Sequence, residues 1–341
     1  MSHPFLYLEF SGPHAELGRF LGKTFRQEIN RRVKKLKPLP MGPYIQAAQK
    51  AHPEIFAEAQ NMAQAAGVSF ADFFLLNCSE SSHCTTVFTH LDNQPVVAHN
   101  EDSSDDSETI NDLYLLKAKI GDTTILGLHY KHQLIGTSAS INNWGLVQCI
   151  DNLHPRSQIG VPRNFVARAL LECRSLAQAK QLLSQTPHAS GYNHFLVQGN
   201  ELLNVAISPQ YQEIDQSSGN HFVHTNHFLT PAGQAQEAYR PPESIARYQK
   251  ASHLAKDHMT QDEILGLLTT CQDSTLARVL IFPTQSKILI QNPSSPDPNS
   301  SIAFFISVNS ITLSISATTV TSSPASFPRS KSSSPIPTWD S

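Results

Sequence analysis

The periodicity of the apolar residues changes at Cys84. Before this residue, apolar side chains such as Leu17 and Leu21 recur at helical spacing. After it, β-prone runs are separated by turn-forming pairs such as Asp92-Asn93. We therefore expect the residues before Cys84 to be mostly helical and most of those after it to form strands.

The same patterns give approximate element bounds. Strands are predicted over 5–10, 85–91, 95–99, 113–120, 123–129, 276–282 and 287–291, with one more within 141–151 and a hairpin over 195–207. A helix is predicted over 13–36, followed by more helix that is broken or restarted near Pro53 and ends near Gly67. Further helices are predicted over 69–76, twice within 162–183, and over 244–257 and 260–271. The last helix opens with a capping box, in which Thr260 and Glu263 can satisfy each other's backbone amides.

A chain of 341 residues is long enough for two domains or for one large layered domain. We divide it into a helical segment (1–83), a core (84–291) and a tail rich in Ser, Pro and Thr (292–341). The tail has one apolar island, 302–308. Beyond about residue 320 it has too few apolar side chains to offset chain entropy, so we expect disorder there.

Composition excludes several classes of function. The net charge of −3 and the absence of a basic patch argue against nucleic-acid binding. The five cysteines are an odd number without framework spacing, which favours reduced thiols and a cytoplasmic protein. We expect no secretory signal, because the first residues show no basic stretch followed by a long apolar run. No apolar run approaches the ~20 residues of a membrane span.

Cys84 lies at the start of a β-prone run, Cys84 to Leu91. If the bond between His83 and Cys84 were cut, Cys84 would carry a thiol and a free α-amine. An α-amine has an unperturbed pKa of ~8 and can act as the base for its own thiol. No separate catalytic histidine would then be required.

Several segments resemble, in order and spacing, those of one enzyme family. They are Ser11 to Gly18 with Gly22, Ala66-Gly67-Val68 leading to Leu75-Leu76-Asn77, Cys84-Thr85-Thr86, Asn100-Glu101-Asp102, Asn142 to Gly145, and His224-Thr225-Asn226-His227. From about Phe5 to Asn292 the chain resembles the acyl-coenzyme A:6-aminopenicillanic acid acyltransferase family. This family is also called peptidase C45 and is a group of N-terminal nucleophile hydrolases.

The resemblance implies an α+β fold, a four-layer αββα sandwich, and autoproteolysis between His83 and Cys84. It implies that Cys84 is the nucleophile, that Asp102 orients the new α-amine, and that Asn226 donates to the oxyanion. Candidates for further oxyanion or substrate contacts are Thr85, Asn142, Asp151 and His224. No cofactor and no metal are expected, although an acyltransferase would use a coenzyme A thioester as its acyl donor.

The chain departs from the family pattern at four places. His83 stands where the family has glycine, and Glu101 replaces an aromatic residue. Asp151 stands where an asparagine is often found. An arginine expected before the late Thr-Leu strand is absent, and Gln272 and Asp273 stand there instead.

Each of the three candidate catalytic residues could instead have a purely structural role. Cys84 could be a buried small hydrophobe, and Asn226 a polar residue at a strand end. Asp102 heads an acidic run of which we expect the other members to be solvated charges that bind no calcium: Glu101, Asp105, Asp106 and Glu108.

Two further groupings of side chains are not expected to form a site or a bond. We expect His221, His224 and His227 not to bind zinc together, because residues three apart on a strand point to opposite faces. A disulfide between Cys78 and Cys84 is not expected in a reducing compartment.

Three functions remain open. The first is a self-processing amidohydrolase or acyltransferase acting on small amides through an acyl-cysteine, with its two fragments held together. We favour hydrolysis, because water is always available as the acceptor. The second is an uncleaved, inactive relative that binds small amides or a protein partner. The third is an amidase of the choloylglycine or ceramide type, with bulky lipid or steroid substrates. The substrate and the oligomeric state are left open.

Overall fold

The computed structural model describes residues 5–78, 83–103, 109–271, 274–293 and 301–306. The helices are α1 (His14–Thr24), α2 (Arg26–Val33), α3 (Gly42–Ala51), α4 (Pro53–Ala66), α5 (Phe70–Leu76), α6 (Arg163–Leu170), α7 (Leu176–Gln185), α8 (Pro231–Gln234), α9 (Pro242–Leu254) and α10 (Gln261–Thr270). The strands are β1 (Leu6–Ser11), β2 (His83–Leu91), β3 (Gln94–Asp102), β4 (Leu113–Ile120), β5 (Thr123–Tyr130), β6 (Ala139–Asn142), β7 (Leu146–Asn152), β8 (Tyr192–Gln198), β9 (Glu201–Ile207), β10 (Gln212–Ser218), β11 (Phe222–His224), β12 (Thr275–Phe282), β13 (Lys287–Gln291) and β14 (Ser301–Phe305).

The strands form two sheets. The eight-stranded sheet has the order β1-β4-β5-β6-β7-β8-β9-β10, and the six-stranded sheet has the order β11-β2-β3-β12-β13-β14. β1 pairs with β4 in parallel, and the neighbouring pairs β2–β3 and β3–β12 are antiparallel. The apolar island of the tail therefore contributes a strand, β14, to the six-stranded sheet.

Alternating side chains give each sheet two covered faces. On β4, Tyr114 belongs to the apolar cluster that this sheet shares with helices α1 to α7, whereas Leu115 belongs to the cluster between the two sheets. On β2, Phe88 faces the space between the sheets, whereas Val87 packs against α9 and α10. The layers are thus helices, sheet, sheet and helices, which confirms the expected α+β αββα sandwich.

The helical segment before Cys84 belongs to the same core. α1 and α4 approach so closely that a Cβ atom at Gly18 would lie 2.1 Å from the carbonyl oxygen of Glu58. A Cβ atom at Gly22 would lie 2.2 Å from the carbonyl oxygen of Met62. Glycine is therefore required at both positions. Strand β1 also ties this segment to the eight-stranded sheet.

Local turn chemistry agrees with the sequence. Asp92 and Asn93 connect β2 and β3 with positive φ values of 51° and 60°, as the hairpin turn requires. Gly67 ends α4 with φ 75°, and the Thr260 capping box opens α10. The single helix predicted over 13–36 is instead two helices, which meet at Phe25.

Some predictions concern residues outside the described ranges. These are the acidic residues Asp105, Asp106 and Glu108, the pair Gln272-Asp273, and the tail beyond about residue 320. Within the described ranges, none of the helices has the length and apolarity to cross a membrane.

Candidate active site

Cys84 is the second residue of β2 and lies opposite Glu101 on β3. Two residues further along each strand, Thr86 lies opposite His99. Because these four positions share one face of the sheet with Phe88, their side chains point into the space between the sheets. Residues with odd numbers on β2, such as Thr85, point toward α9 and α10 instead.

Contacts from three sides hold Cys84, which is fully buried. Its backbone N–H donates to Asn226 Oδ1 at 2.9 Å. Its Sγ donates to Glu101 Oε1 at 3.9 Å. Its carbonyl oxygen accepts a hydrogen bond from Arg247. Both the thiol and the backbone nitrogen of Cys84 are therefore held in defined positions.

Arg247, on α9, fixes the orientation of the Asn226 side chain. One guanidinium nitrogen donates to Thr85 Oγ1 at 3.0 Å, and another donates to Asn226 Oδ1 at 2.8 Å. Because Oδ1 accepts from both Arg247 and Cys84, the amide nitrogen Nδ2 points away from them and donates to the Asn152 carbonyl at 3.0 Å. Nδ2 has a second hydrogen with which to donate to a substrate oxygen.

Glu101 is buried, and the expectation that it would be a solvated charge is wrong. Strand β3 continues to Asp102, so the pleat directs Glu101 inward beside Cys84. Its Oε1 accepts from the Tyr130 hydroxyl at 2.8 Å. Its Oε2 accepts from the Ser138 hydroxyl and lies 3.3 Å from His99 Nε2.

His99 links Glu101 to a second buried carboxylate. The Thr86 hydroxyl donates to Asp151 Oδ1 at 2.7 Å, so its oxygen accepts from His99 Nδ1 at 2.8 Å. Burial lowers the pKa of His99, but its hydrogen bond to Glu101 and the charges of Glu101 and Asp151 outweigh burial and raise the pKa overall. A protonated His99 would donate to partners on both sides.

Asp151 ends this buried chain of hydrogen bonds. Its Oδ2 accepts from Asn193 Nδ2 at 3.0 Å and lies 3.2 Å from His224 Nδ1. Asp151 and His224 are therefore linked to Cys84 by a chain of hydrogen bonds that runs through Thr86, His99 and Glu101. The sequence placed both residues in the site but did not indicate this connection.

Asp102 lies on the opposite face of β3 from Glu101, opposite His83 on the neighbouring strand. The Thr275 hydroxyl donates to its Oδ1, while its buried Oδ2 has no hydrogen-bond partner within the described part of the chain. Burial raises the pKa of Asp102 from 3.8 to about 7, against the lowering effect of Thr275 and of the Arg247 charge. The residue that pairs with His83, directly before Cys84, thus carries an unsatisfied buried carboxyl oxygen.

Asn142 holds the turn between β6 and β7 through four hydrogen bonds. Its Nδ2 donates to the Leu171 and Cys173 carbonyls at 3.0 and 2.8 Å. Its Oδ1 accepts from the backbone of Trp144 and Leu146 at 3.0 and 3.1 Å. These bonds hold the turn between β6 and β7, and a role in substrate binding stays a prediction.

Residues 89–287 match a protein family described as acyl-coenzyme A:6-aminopenicillanic acid acyl-transferase. This range is more than half of the 341 residues. The chain belongs to this acyltransferase family. The match includes Asp102, Asp151 and Asn226 and begins five residues after Cys84.

Similar solved structures include two proteins of low sequence identity. One is an N-acylethanolamine-hydrolyzing acid amidase ortholog from Caenorhabditis elegans, with 15% identity, a TM-score of 0.46, and coverage of 59% of this chain and 93% of that chain. The other is penicillin V acylase from Agrobacterium tumefaciens, with 14% identity, a TM-score of 0.44, and coverage of 63% and 84%. Comparison with curated proteins finds no match.

This member of the acyltransferase family also holds three side chains that could ligate a metal ion. One ligand atom from each of Cys84, His99 and Glu101 lies within 4.8 Å of the others. Thiolate, imidazole and carboxylate are ligands that suit zinc. The three histidines near Asn226 do not converge, because His221 binds exposed Asp257 while His224 binds Asp151. The expectation that the site holds no metal stays a prediction.

A surface cavity of about 500 Å³ lies elsewhere on this family member. It is lined by His90, Asn93, Gln94 and Pro95 around the β2–β3 turn and by Asn200, Gly219, His258 and Thr284. His90 is six residues from Cys84 along an extended strand, or ~20 Å. This cavity is therefore separate from the site around Cys84.

Proposed function

We propose that this member of the acyltransferase family is a self-processing amidohydrolase with an N-terminal cysteine nucleophile. Cleavage between His83 and Cys84 would release the α-amine of Cys84. The observation that carries the proposal is the unsatisfied, buried Oδ2 of Asp102, the residue that pairs with His83. The ammonium group that forms when the Cys84 α-amine takes up a proton would give that oxygen a partner and offset the buried charge.

The contacts of the uncleaved chain also suit the mature site. The Cys84 nitrogen already donates to Asn226 Oδ1, and a free amine keeps that contact. The amine can take the proton of the Cys84 thiol, and the thiolate then attacks the carbonyl carbon of an amide. The second hydrogen of Asn226 Nδ2 would stabilise the oxyanion, a contribution of ~3 kcal/mol.

The reaction then follows an acyl-cysteine route. The tetrahedral intermediate collapses, the substrate amine leaves with the proton, and a thioester on Cys84 remains. Water attacks the thioester and regenerates the thiol. We favour water over another acceptor, since among the described residues no arrangement identifies a coenzyme A site.

The two fragments would stay together after cleavage. β1 pairs with β4 over six residue pairs. Arg168, in the larger fragment, donates to Glu58, in the smaller one, at 2.8 Å, and both side chains are fully buried. Separation would expose this ion pair and the shared core, which is strongly unfavourable. We also propose that the substrate is a small-molecule amide and that the protein is cytoplasmic.

The test is to trap the acyl group on Cys84. Purified protein is incubated with a panel of small acyl amides and quenched in acid, and the fragment masses are measured. We expect one acyl group on the larger fragment, removable by hydroxylamine as a thioester should be. Cys84→Ala should carry none, whereas the control Cys173→Ala should carry the same amount as wild type.

Acylation that persists in Cys84→Ala would contradict the assignment of the nucleophile. Processed protein that takes up only bulky lipid or steroid amides would favour the third function considered above. An intact, unprocessed chain that binds small amides without turning them over would favour the inactive relative.

A further inference from the structure

Self-cleavage needs a base that the mature mechanism does not supply. In the uncleaved chain the Cys84 nitrogen is an amide that donates to Asn226 Oδ1. An amide nitrogen has no basic lone pair, so it cannot take the thiol proton. Another group must therefore act before the α-amine exists.

We propose that Glu101 is the base that takes the proton of the Cys84 thiol during self-cleavage. This inference rests on the self-processing proposed above. Cys84 Sγ already donates to Glu101 Oε1 at 3.9 Å, and both residues are fully buried. A general base has to lie within hydrogen-bond reach of the proton that it removes. Asp102, the other nearby carboxylate, points to the opposite face of β3.

The surroundings of Glu101 hold its carboxylate in place. The Tyr130 and Ser138 hydroxyls donate to its two oxygens, and His99 lies 3.3 Å from Oε2. The register of β2 and β3 sets Cys84 directly opposite Glu101. His99 acts here as a positioning residue, since its Nδ1 is bound to Thr86 Oγ1.

The proton and the bonds balance as follows. Glu101 takes the thiol proton while Cys84 Sγ forms a bond to the carbonyl carbon of His83. The bond from that carbon to the Cys84 nitrogen then breaks, and protonated Glu101 returns the proton to the leaving nitrogen. This gives a thioester and a free α-amine. Water cleaves the thioester into the His83 carboxylate and the Cys84 thiol.

The test follows self-cleavage of full-length chains in cell-free synthesis. Chains are pulse-labelled, initiation is stopped, and conversion to two fragments is followed over time. We expect Glu101→Gln, which keeps the size of the side chain, to slow cleavage by ~10²-fold or more. Glu101→Asp should retain measurable cleavage, and the control Glu201→Gln on the exposed start of β9 should cleave at the wild-type rate.

Two outcomes distinguish a failure of this inference from a failure of the self-processing on which it rests. If the wild-type chain does not cleave, self-processing itself fails. If the wild-type chain cleaves and Glu101→Gln matches its rate within a few-fold, only the role of Glu101 is overturned.

A second variant decides the matter if Glu101→Gln does not fold. Tyr130→Phe removes one donor that stabilises the Glu101 carboxylate. If Glu101 is the base, its carboxylate is held less firmly in this variant and fragments should form several-fold more slowly. A folded Tyr130→Phe protein, as judged by limited proteolysis, that cleaves at the wild-type rate would overturn the inference.

Discussion

Replacing Asp102 by asparagine should stabilise the uncleaved chain, and the gain should depend on pH. The background is Cys84→Ala, which should keep the chain intact because it lacks the proposed nucleophile. The pKa of Asp102 is raised from 3.8 to about 7, chiefly by burial. A raised carboxyl pKa means that the folded state binds more protons than the unfolded state between these two values. Stability is therefore lost as the pH rises from about 4 to about 8.

The size of the effect follows from the difference between the two pKa values of Asp102, 3.8 and about 7. At ~1.4 kcal/mol for each pKa unit, the charged carboxylate costs roughly 4 kcal/mol at pH 8 and less than ~1 kcal/mol at pH 4. Asparagine does not ionise, and its oxygen can still accept from the Thr275 hydroxyl. The variant should thus match its parent at pH 4 and exceed it by several kcal/mol at pH 8.

Urea unfolding of the parent and of the Asp102→Asn variant at pH 4, 6 and 8 measures this difference. In cleaved protein the α-ammonium of Cys84 should offset the carboxylate, so the gain should shrink or reverse there. A gain that is the same at all three pH values, or a loss at pH 8 in the uncleaved background, would show that Asp102 is not an unpaired buried carboxyl.

Three further predictions concern neighbouring contacts. Arg247→Met should slow fragment formation in the pulse-label assay by at least ~10-fold, because the Cys84 carbonyl and the Asn226 side chain lose the donor that holds them in position. A wild-type rate would contradict this. Because the site is expected to hold no metal, added Zn²⁺ should leave the midpoint of urea unfolding unchanged in wild type and in His99→Gln. A rise in the wild-type midpoint that His99→Gln removes would contradict this expectation. Arg168→Met should lower the free energy of unfolding in urea by ~3 kcal/mol, since the buried Glu58 carboxylate loses its guanidinium partner and keeps only His14. The added change Glu58→Leu should restore much of the loss.

The sequence predicted those parts of the fold that depend on local chemistry. Asp92 and Asn93 favour a tight hairpin turn wherever they stand between strands, and Thr260 with Glu263 caps a helix without tertiary help. The predicted bounds of β4 match the structure. Strand β10 was missed, because its residues Gln212–Ser218 are mostly polar and it is an edge strand, held by pairing with β9 alone.

The sequence indicated some residues of the candidate site and not others, for a physical reason. Cys84, Asp102 and Asn226 stand in short motifs, so a resemblance can find them. Glu101 looks like one member of an acidic run, and only the pleat of β3 and the position of Tyr130 on another sheet show that it is buried.

Arg247 stands in an ordinary helix, 21 residues after Asn226, with no local signal of its contacts. Contacts of this kind arise from tertiary packing and cannot be inferred from the local pattern of a single sequence.

The most direct test of the account is the intact mass of the purified wild-type protein under denaturing conditions, with N-terminal sequencing of each species. The account predicts two fragments that copurify, the larger beginning Cys84-Thr85-Thr86. A single full-length chain would contradict it, and so would fragments that begin at any residue other than Cys84.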